Sequence, residues 1–472
     1  MKTRGSVIAS VLPLALALAA CPVSAQTLQD EKCTADRHVP SAERITACSH
    51  AIESGKYAGN DLALAFTYRG RAYSAANDTD RALADVEQAI RLEPNAAYAF
   101  TVRGDVYKRK KNFERALADY NQAIALDPND ALAFSGRGNY YVETGDLDHA
   151  MADYDQAVRL DPKASYAIGS RGGVYLLKGD LDRAFAEYDK AVSLDPMDAA
   201  SISSRGFIYH RRGDLDRALA DYTTAISVDP SYTLAYRNRG ELYLAKGDFD
   251  RAMAEFDQMV RVAPKASLGF VSRGGAYIRR GDFDRAIAEL DKAISVDPND
   301  SIAFNNRGFA YLRKGEADRA LADLTQAISL DPRNVLAYKN RGDLYTARRD
   351  FEHSLADYDA AVRLDPRDAL ALNNRGYAYY RTGDPDRALA DYGRAIALDH
   401  NYTTAYINRG LSYEAKGDLD RAIAEYDQAI RVQPTAAAAF YWRGAAKRRK
   451  GDEAAGEADI AAARKLDPKI AR

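Results

Sequence analysis

Apolar, aromatic and small residues recur along this chain with a period of 34, and the polar residues keep the same phase. The segment from Ala97 to Asp130 shows one repeat. Its pattern predicts a helix through about Lys110, a turn at Lys111-Asn112, and a second helix from about Glu114 to Leu126. Most other copies place Gly-Asp at the turn, as in Gly213-Asp214 and Gly417-Asp418. Glycine ends a helix without a Cβ penalty, and aspartate caps the helix that follows. Asp127-Pro128 closes the second helix because proline cannot continue it. Gly104 and Ala116 are small enough to let the two helices approach closely, while Tyr107 and Tyr120 are bulky enough to fill the space between hairpins.

The pair Arg-Gly occurs twelve times in this phase, from Arg69-Gly70 to Arg443-Gly444, without an insertion or deletion. A strict period of this length predicts stacked helical hairpins, hence an all-α solenoid. Twelve repeats span residues 63–470, residues 26–62 form an N-terminal cap, and no segment is left for a separate catalytic domain. Tyrosine recurs at the Tyr107 position in eleven repeats, with Lys447 the exception, which explains the 31 tyrosines without a catalytic role.

The repeat resembles the tetratricopeptide repeat. That family places an aromatic residue, Gly, Tyr, Ala, an aromatic residue, Ala and Pro in fixed order, and Phe100, Gly104, Tyr107, Ala116, Tyr120, Ala123 and Pro128 match it throughout. The resemblance runs from Ala63 to the C-terminus. It implies a right-handed α-solenoid, a superhelix whose concave face is lined by the first helix of each pair.

Arginine stands before the glycine, where the family more often has leucine, and an acid follows sixteen residues later in every repeat, from Asp85 to Asp459. An arginine in a helical seam needs a planar, bidentate partner. The recurrence therefore predicts a ladder of Arg–carboxylate pairs between the two helices of each repeat. The competing reading is a set of separate surface charges of little energetic weight.

Two residues before the glycine stands Asn238, Asn306, Asn340, Asn374 or Asn408 in five of the last seven repeats. An amide side chain donates and accepts, so it can grip a peptide backbone of any sequence. The resemblance implies that use, because asparagine rows serve it in some tetratricopeptide and armadillo-like superhelices. Arg237, Asn305, Lys339 and Asn373 stand beside the row, and Phe309, Tyr377 and Tyr413 are nearby aromatics. Repeats one to five carry Tyr68, Val102, Gly136, Ser170 and Ser204 instead, so the two halves of the groove differ. The plainer reading is that Asn-Arg-Gly is a duplicated consensus with no binding role. The family's clamp for acidic chaperone tails needs a lysine where this chain has Leu234, Leu268, Ile302, Leu336 and Leu370, and only Asn139 fits its asparagine position. The clamp is not expected here.

Charge is balanced at a formal net of −2, which argues against a nucleic-acid partner. Lys2 and Arg4 precede an apolar run from Val7 to Ala20, and Val23-Ser24-Ala25 offers small residues for cleavage before Gln26. Residues 1–25 thus read as a signal peptide, too short for a comfortable membrane span. Leu18-Ala19-Ala20-Cys21 also looks like a lipoprotein signal ending at Ala20, with Cys21 lipidated. Either way Cys33 and Cys48 remain, and an even pair in an exported chain reads as a disulfide. It would tie down a cap in which Glu43–Ile52 resembles an orphan second helix. At the other end, Gly456 replaces the usual alanine and Lys447-Arg448-Arg449-Lys450 is basic, which reads as a polar C-terminal cap.

Asp-x-Asp-Arg recurs, as in Asp214-Leu215-Asp216-Arg217, but lacks the loop and distant glutamate of a calcium site and suits helix capping. The six histidines are scattered, and no nucleophile is paired with a base in a recognisable motif. No catalysis, metal or cofactor is expected. The sequence points to a non-enzymatic scaffold of the bacterial cell envelope, periplasmic or secreted, with membrane attachment only through a lipidated Cys21. The expected partner is an extended peptide or protein segment. The alternative is binding of an envelope polysaccharide, or an accessory role in polysaccharide or protein export.

Overall fold

The computed structural model describes residue 28, residues 32–34, residue 36 and residues 39–470. The expected signal peptide, Cys21 and His38 lie outside the described residues. The described residues form twenty-five helices and no strand. They fall into two compact units, Met1–Ala235 and Tyr236–Arg472, each a stack of helical hairpins.

The repeat folds as its pattern predicts. Helix A of the second repeat is Ala97–Arg109 and helix B is Phe113–Leu126. Between them the chain turns through a left-handed residue, which is glycine in most repeats but Asn77, Lys111 and Arg349 in three, with φ of 63°, 56° and 61°. The aspartate after the turn caps helix B. Asp180, for example, accepts from the Arg183 backbone N–H at 3.0 Å and from its guanidinium at 2.5 Å. Those two bonds, the backbone one foremost, hold its carboxyl below the usual aspartate range. The second aspartate of the motif reaches the next repeat: Asp80 meets Lys110 at 2.6 Å, Asp148 meets Lys178 at 2.7 Å and Asp284 meets Lys314 at 2.7 Å. Asp-x-Asp-Arg is thus a cap joined to a surface ion pair.

Close approach explains the repeated glycine. A Cβ on Gly104 would lie 2.8 Å from the Tyr120 ring, and one on Gly410 would lie 2.5 Å from the Tyr426 ring. Both rings are fully buried, and Ala116 and Ala123 are buried beside Tyr120. Helix A therefore rests on the aromatic ring of helix B with no room for a side chain.

The arginine ladder forms in every repeat. The pairs run from Arg69–Asp85 at 2.7 Å to Arg443–Asp459 at 2.5 Å, and the four glutamate pairs, Arg171–Glu187, Arg239–Glu255, Arg273–Glu289 and Arg409–Glu425, close at 2.8–3.1 Å. In the eight aspartate repeats Nε and Nη2 each donate to one carboxylate oxygen, at 2.5–2.9 Å. Glutamate is one methylene longer and meets only Nη2, so the Nε of Arg171, Arg273 and Arg409 is buried without an acceptor. Ring faces complete the site: the Arg103 guanidinium lies 5.1 Å from the Phe100 centroid.

Nη1 carries the ladder between repeats. In at least eight repeats it reaches the residue sixteen positions earlier, on helix B of the preceding repeat, and in Arg69 it reaches Ser49 instead. Arg171 meets Asp155 at 2.9 Å, Arg307 meets Asp291 at 2.6 Å, and Arg137 meets Asn121 at 2.7 Å. One guanidinium therefore joins three helices. The sequence reading anticipated only the forward half.

Both ends carry bonds of their own. Cys33 and Cys48 form a disulfide with a Cα–Cα distance of 4.7 Å, and both are fully buried with Leu28, Ala51 and Ala65. The helix that carries Cys48 spans Ser41–Glu53. Buried Arg44 on that helix donates to the Val39 carbonyl at 3.0 Å and to the Asp36 carbonyl. At the C-terminus Lys447 pairs with Asp459 at 2.8 Å, Arg448 with Glu453 at 3.0 Å and Arg449 with Glu414 at 2.6 Å. Gly456 is required there, because a Cβ would lie 2.7 Å from the Gly444 carbonyl oxygen.

Repeat eleven is the least anchored. Arg409 faces a glutamate, and the position sixteen residues earlier is Gly393, where an added Cβ would lie 4.0 Å from Arg409 Nη1. Gly393→Ala should stabilise by about 1 kcal/mol through helix propensity. Aspartate is the poorer helix former, so Gly393→Asp stabilising by about 0.5 kcal/mol more than Gly393→Ala would isolate the new ion pair. Hydrogen exchange across Thr403–Ala415 reads the difference.

Candidate functional site

The open face of the stack is set by helix A. In the N-terminal unit Arg71, Asp105 and Asn139, one repeat apart, line a cleft of about 520 Å³ with Ser74, Lys108 and Glu143. The cleft has internal bonds: Arg71 donates to the Tyr98 hydroxyl at 2.9 Å, and Tyr120 donates to Asp105 at 2.7 Å. The same register in the C-terminal unit carries Phe309, Asp343 and Tyr377.

There the open face has two parallel rows. Ile302, Leu336 and Leu370 are 58%, 58% and 45% exposed, although the other large apolar side chains of their helices are buried or half-buried. Four residues on, on the same side of the helix, stand Asn306, Asn340 and Asn374, all half-buried. Asn408 continues the amide row in the next repeat and is also half-buried. Asn238 is half-buried and Arg237 exposed.

The amide row is divided into two clusters. Asn340 donates to Asn305 at 2.9 Å, and Asn305 donates to Asn306 at 3.1 Å. Asn408 donates to Asn373 at 3.1 Å, and Asn373 donates to Asn374 at 3.0 Å. Each link joins a row asparagine to the amide 35 residues earlier. For Asn374 that earlier residue is Lys339, so Asn374 turns instead to Asp343, at 3.1 Å. Lys339 pairs with Asp368 at 2.6 Å. Burial opposes the Asp368 charge, but the Lys339 ammonium and helix N–H groups outweigh it and hold the carboxyl below its usual range. Tyr358 also donates to Asp343, and burial together with that carboxylate raises the Tyr358 phenol. Asn305 and Asn373 are 4% exposed and hold the row in place rather than facing outward. Asn306 is engaged only through its oxygen, and Asn340 and Asn408 only through their N–H groups, whereas Asn374 is engaged at both ends of its amide.

Tyr413 belongs elsewhere. Its ring packs against the buried cluster of Ala422, Tyr426 and Ala446, with Arg421 over it. Among the described residues no group of three His, Cys, Asp or Glu side chains could hold a metal ion.

The comparisons agree with this geometry. Family models described as TPR repeat match residues 104–145, 206–247, 274–315, 342–383 and 413–451. Others described as tetratricopeptide repeat match 67–96, 136–199, 235–265, 301–334 and 369–402. The chain belongs to the tetratricopeptide-repeat family. Among solved structures it is similar to a chain of the APC/C hetero-tetramer Cut9-Hcn1, at 14% identity, covering 94% of this chain and 92% of that one, with a TM-score of 0.49. It is also similar to a tetratricopeptide repeat protein from Parabacteroides merdae, at 22% identity, covering 52% of this chain and 98% of that one, with a TM-score of 0.43. No curated protein matches the chain.

Tetratricopeptide repeats make protein–protein interaction scaffolds, and the exposed aliphatic row is what the sequence reading of this one missed. Ile302, Leu336 and Leu370 entered it only as residues that are not lysine; their 34-residue spacing in phase with the asparagines was the available signal. The two rows should separate by stability. Asn305→Ala or Asn373→Ala should cost about 1–2 kcal/mol, because each removes a buried amide that bonds two half-buried ones. Leu336→Ser should stay within about 0.5 kcal/mol of the parent. Thermal and denaturant unfolding of the purified variants checks both.

Proposed function

We propose that the protein is a non-enzymatic scaffold that takes an extended peptide or protein segment along the open face of residues 236–472. The observation that carries this reading is the exposed row Ile302, Leu336 and Leu370 running beside Asn306, Asn340 and Asn374. Three large aliphatic side chains in register are available to cover apolar side chains of a ligand. The amides beside them suit the ligand's backbone N–H and C=O groups, which must find partners once water is displaced. An extended segment offers both kinds of group at once, whereas a folded surface rarely presents its backbone.

Binding should therefore depend on both rows. In pull-downs from a peptide array, the triple variant Ile302→Ser, Leu336→Ser, Leu370→Ser should lose at least about tenfold in affinity, as should the four-fold alanine variant of Asn306, Asn340, Asn374 and Asn408. The serine variant removes only exposed groups, so its fold is expected to persist. Retention of wild-type peptide binding by the serine variant would sink the proposal.

We also propose that the scaffold works after export, in the bacterial envelope, with cleavage after Ala25. The leader pattern supports this, and so does the buried Cys33–Cys48 bond, which persists in an oxidising compartment. Among the described residues no helix is long and apolar enough to cross a membrane. The mass of the mature chain isolated from its native cell should correspond to a start at Gln26. A lipid-modified start at Cys21 would replace this with an anchored form, and an intact Met1 would exclude export.

A further inference from the structure

The end of helix A in the C-terminal unit is rich in cations, and most have an acid. Arg279 meets Glu241 at 2.7 Å, Lys314 meets Asp284 at 2.7 Å and Glu316 at 2.9 Å, and Arg449 meets Glu414 at 2.6 Å. Arg313 and Arg381 differ. They occupy the same register two repeats apart, both are exposed, and neither has a carboxylate partner among the described residues. Each is laid across two rings instead. The Arg313 guanidinium lies 5.6 Å from the Phe283 centroid and 5.9 Å from that of Phe309. Arg381 lies 4.7 Å from Phe351 and 5.7 Å from Tyr377, to whose hydroxyl it also donates at 2.7 Å.

A guanidinium held on ring faces keeps its full charge and nearly all of its donors, and its side chain is already ordered. Phe309 and Tyr377 stand four residues before Arg313 and Arg381, on the face that carries the aliphatic row. The acids near this stretch are largely committed. Lys339 offsets Asp368, and Asp343, midway in register between the two rings, already accepts from Tyr358 and Asn374. Two preorganised cations therefore stand against one hydrogen-bonded carboxylate, and charge complementarity defines the occupant.

We propose that the segment taken up by residues 236–472 is acidic as well as aliphatic: an extended peptide whose carboxylates are clasped by Arg313 and Arg381 while its apolar side chains cover Ile302, Leu336 and Leu370. This rests on the scaffold reading above and adds the charge of the partner. A carboxylate fits the guanidinium fork through two parallel bonds, and these contacts weaken as salt rises.

The probe is a fluorescein-labelled peptide of ~16 residues, built from Leu-Ser-Glu-Thr units and reaching about 50 Å when extended. Companion peptides carry Gln or Lys in place of Glu. Fluorescence anisotropy with the full mature chain should show the Glu peptide binding roughly tenfold tighter than the Gln peptide, and the Lys peptide weakest. The double variant Arg313→Gln, Arg381→Gln should bring the Glu peptide down to the Gln peptide and leave the Gln peptide unchanged. The double lysine variant, which keeps charge without the fork, should fall between. Equal binding of Glu and Gln peptides by the wild type, both lost on the Ile302, Leu336 and Leu370 serine triple, would overturn the charge assignment and leave the scaffold reading intact. Failure of every peptide would overturn both. Displacement of the Glu peptide by polygalacturonate, lost on the glutamine double variant, would give the arginines to a glycan and overturn the peptide assignment.

Discussion

The stack depends on a guanidinium held at the meeting point of three helices. Its Nε and Nη2 face an acid on the partner helix of the same repeat, and its Nη1 faces the last helix of the repeat before. These arginine side chains are 15–22% exposed and their acids 5–17% exposed, so the charges are shielded from water and each relies on the other. A flexible apolar residue at the same place would pack but would not select a register. The planar fork selects one, because it closes with aspartate and only half closes with glutamate. The unbroken 34-residue period follows: an insertion between the arginine and either acceptor would strand a buried charge.

This interaction also divides the labour of helix A. One side of the helix bears the arginine and the glycine against which the aromatic ring of helix B packs. The other side carries the aliphatic row Ile302, Leu336 and Leu370, which is free of folding duties, and the amides, which are partly structural. The cluster at Lys339, Asp343 and Asp368 shows the two sides communicating little. A lysine interrupts the amide links there, yet Arg341–Asp357 beneath it closes at 2.7 Å like the others. Variation in the exposed residues of the open face is therefore tolerated by the stack.

The legible part of the molecule was the part written in short, repeated spacings. The helix pair, the turn, the caps, the forward Arg–acid link and the Cys33–Cys48 bond all lie within one repeat or beside it. The backward link was not legible because the residue at its acceptor position varies, from Asp155 to Asn121 to Gly393, which offers no acceptor, and a varying residue leaves little periodic trace. The asparagine row was found, but its break was not, since that depends on which amide lies 35 residues away in space rather than in phase. The stacking of Arg313 on Phe283 joins two repeats and has the same difficulty. Tyr413 counted among the aromatics near the asparagine row by its sequence position, whereas its ring packs with Ala422, Tyr426 and Ala446.

Within each unit the arginine reaches one repeat back and no farther, and the caps at Cys33–Cys48 and at Lys447–Lys450 each close against an adjacent repeat. Nothing in such an arrangement measures total length. A gene encoding it can lose or duplicate a whole copy and still specify a chain in which each arginine meets its acid. Copy number is thus open to change, and the length of the open face would change in whole-repeat steps, with no new contact having to be invented.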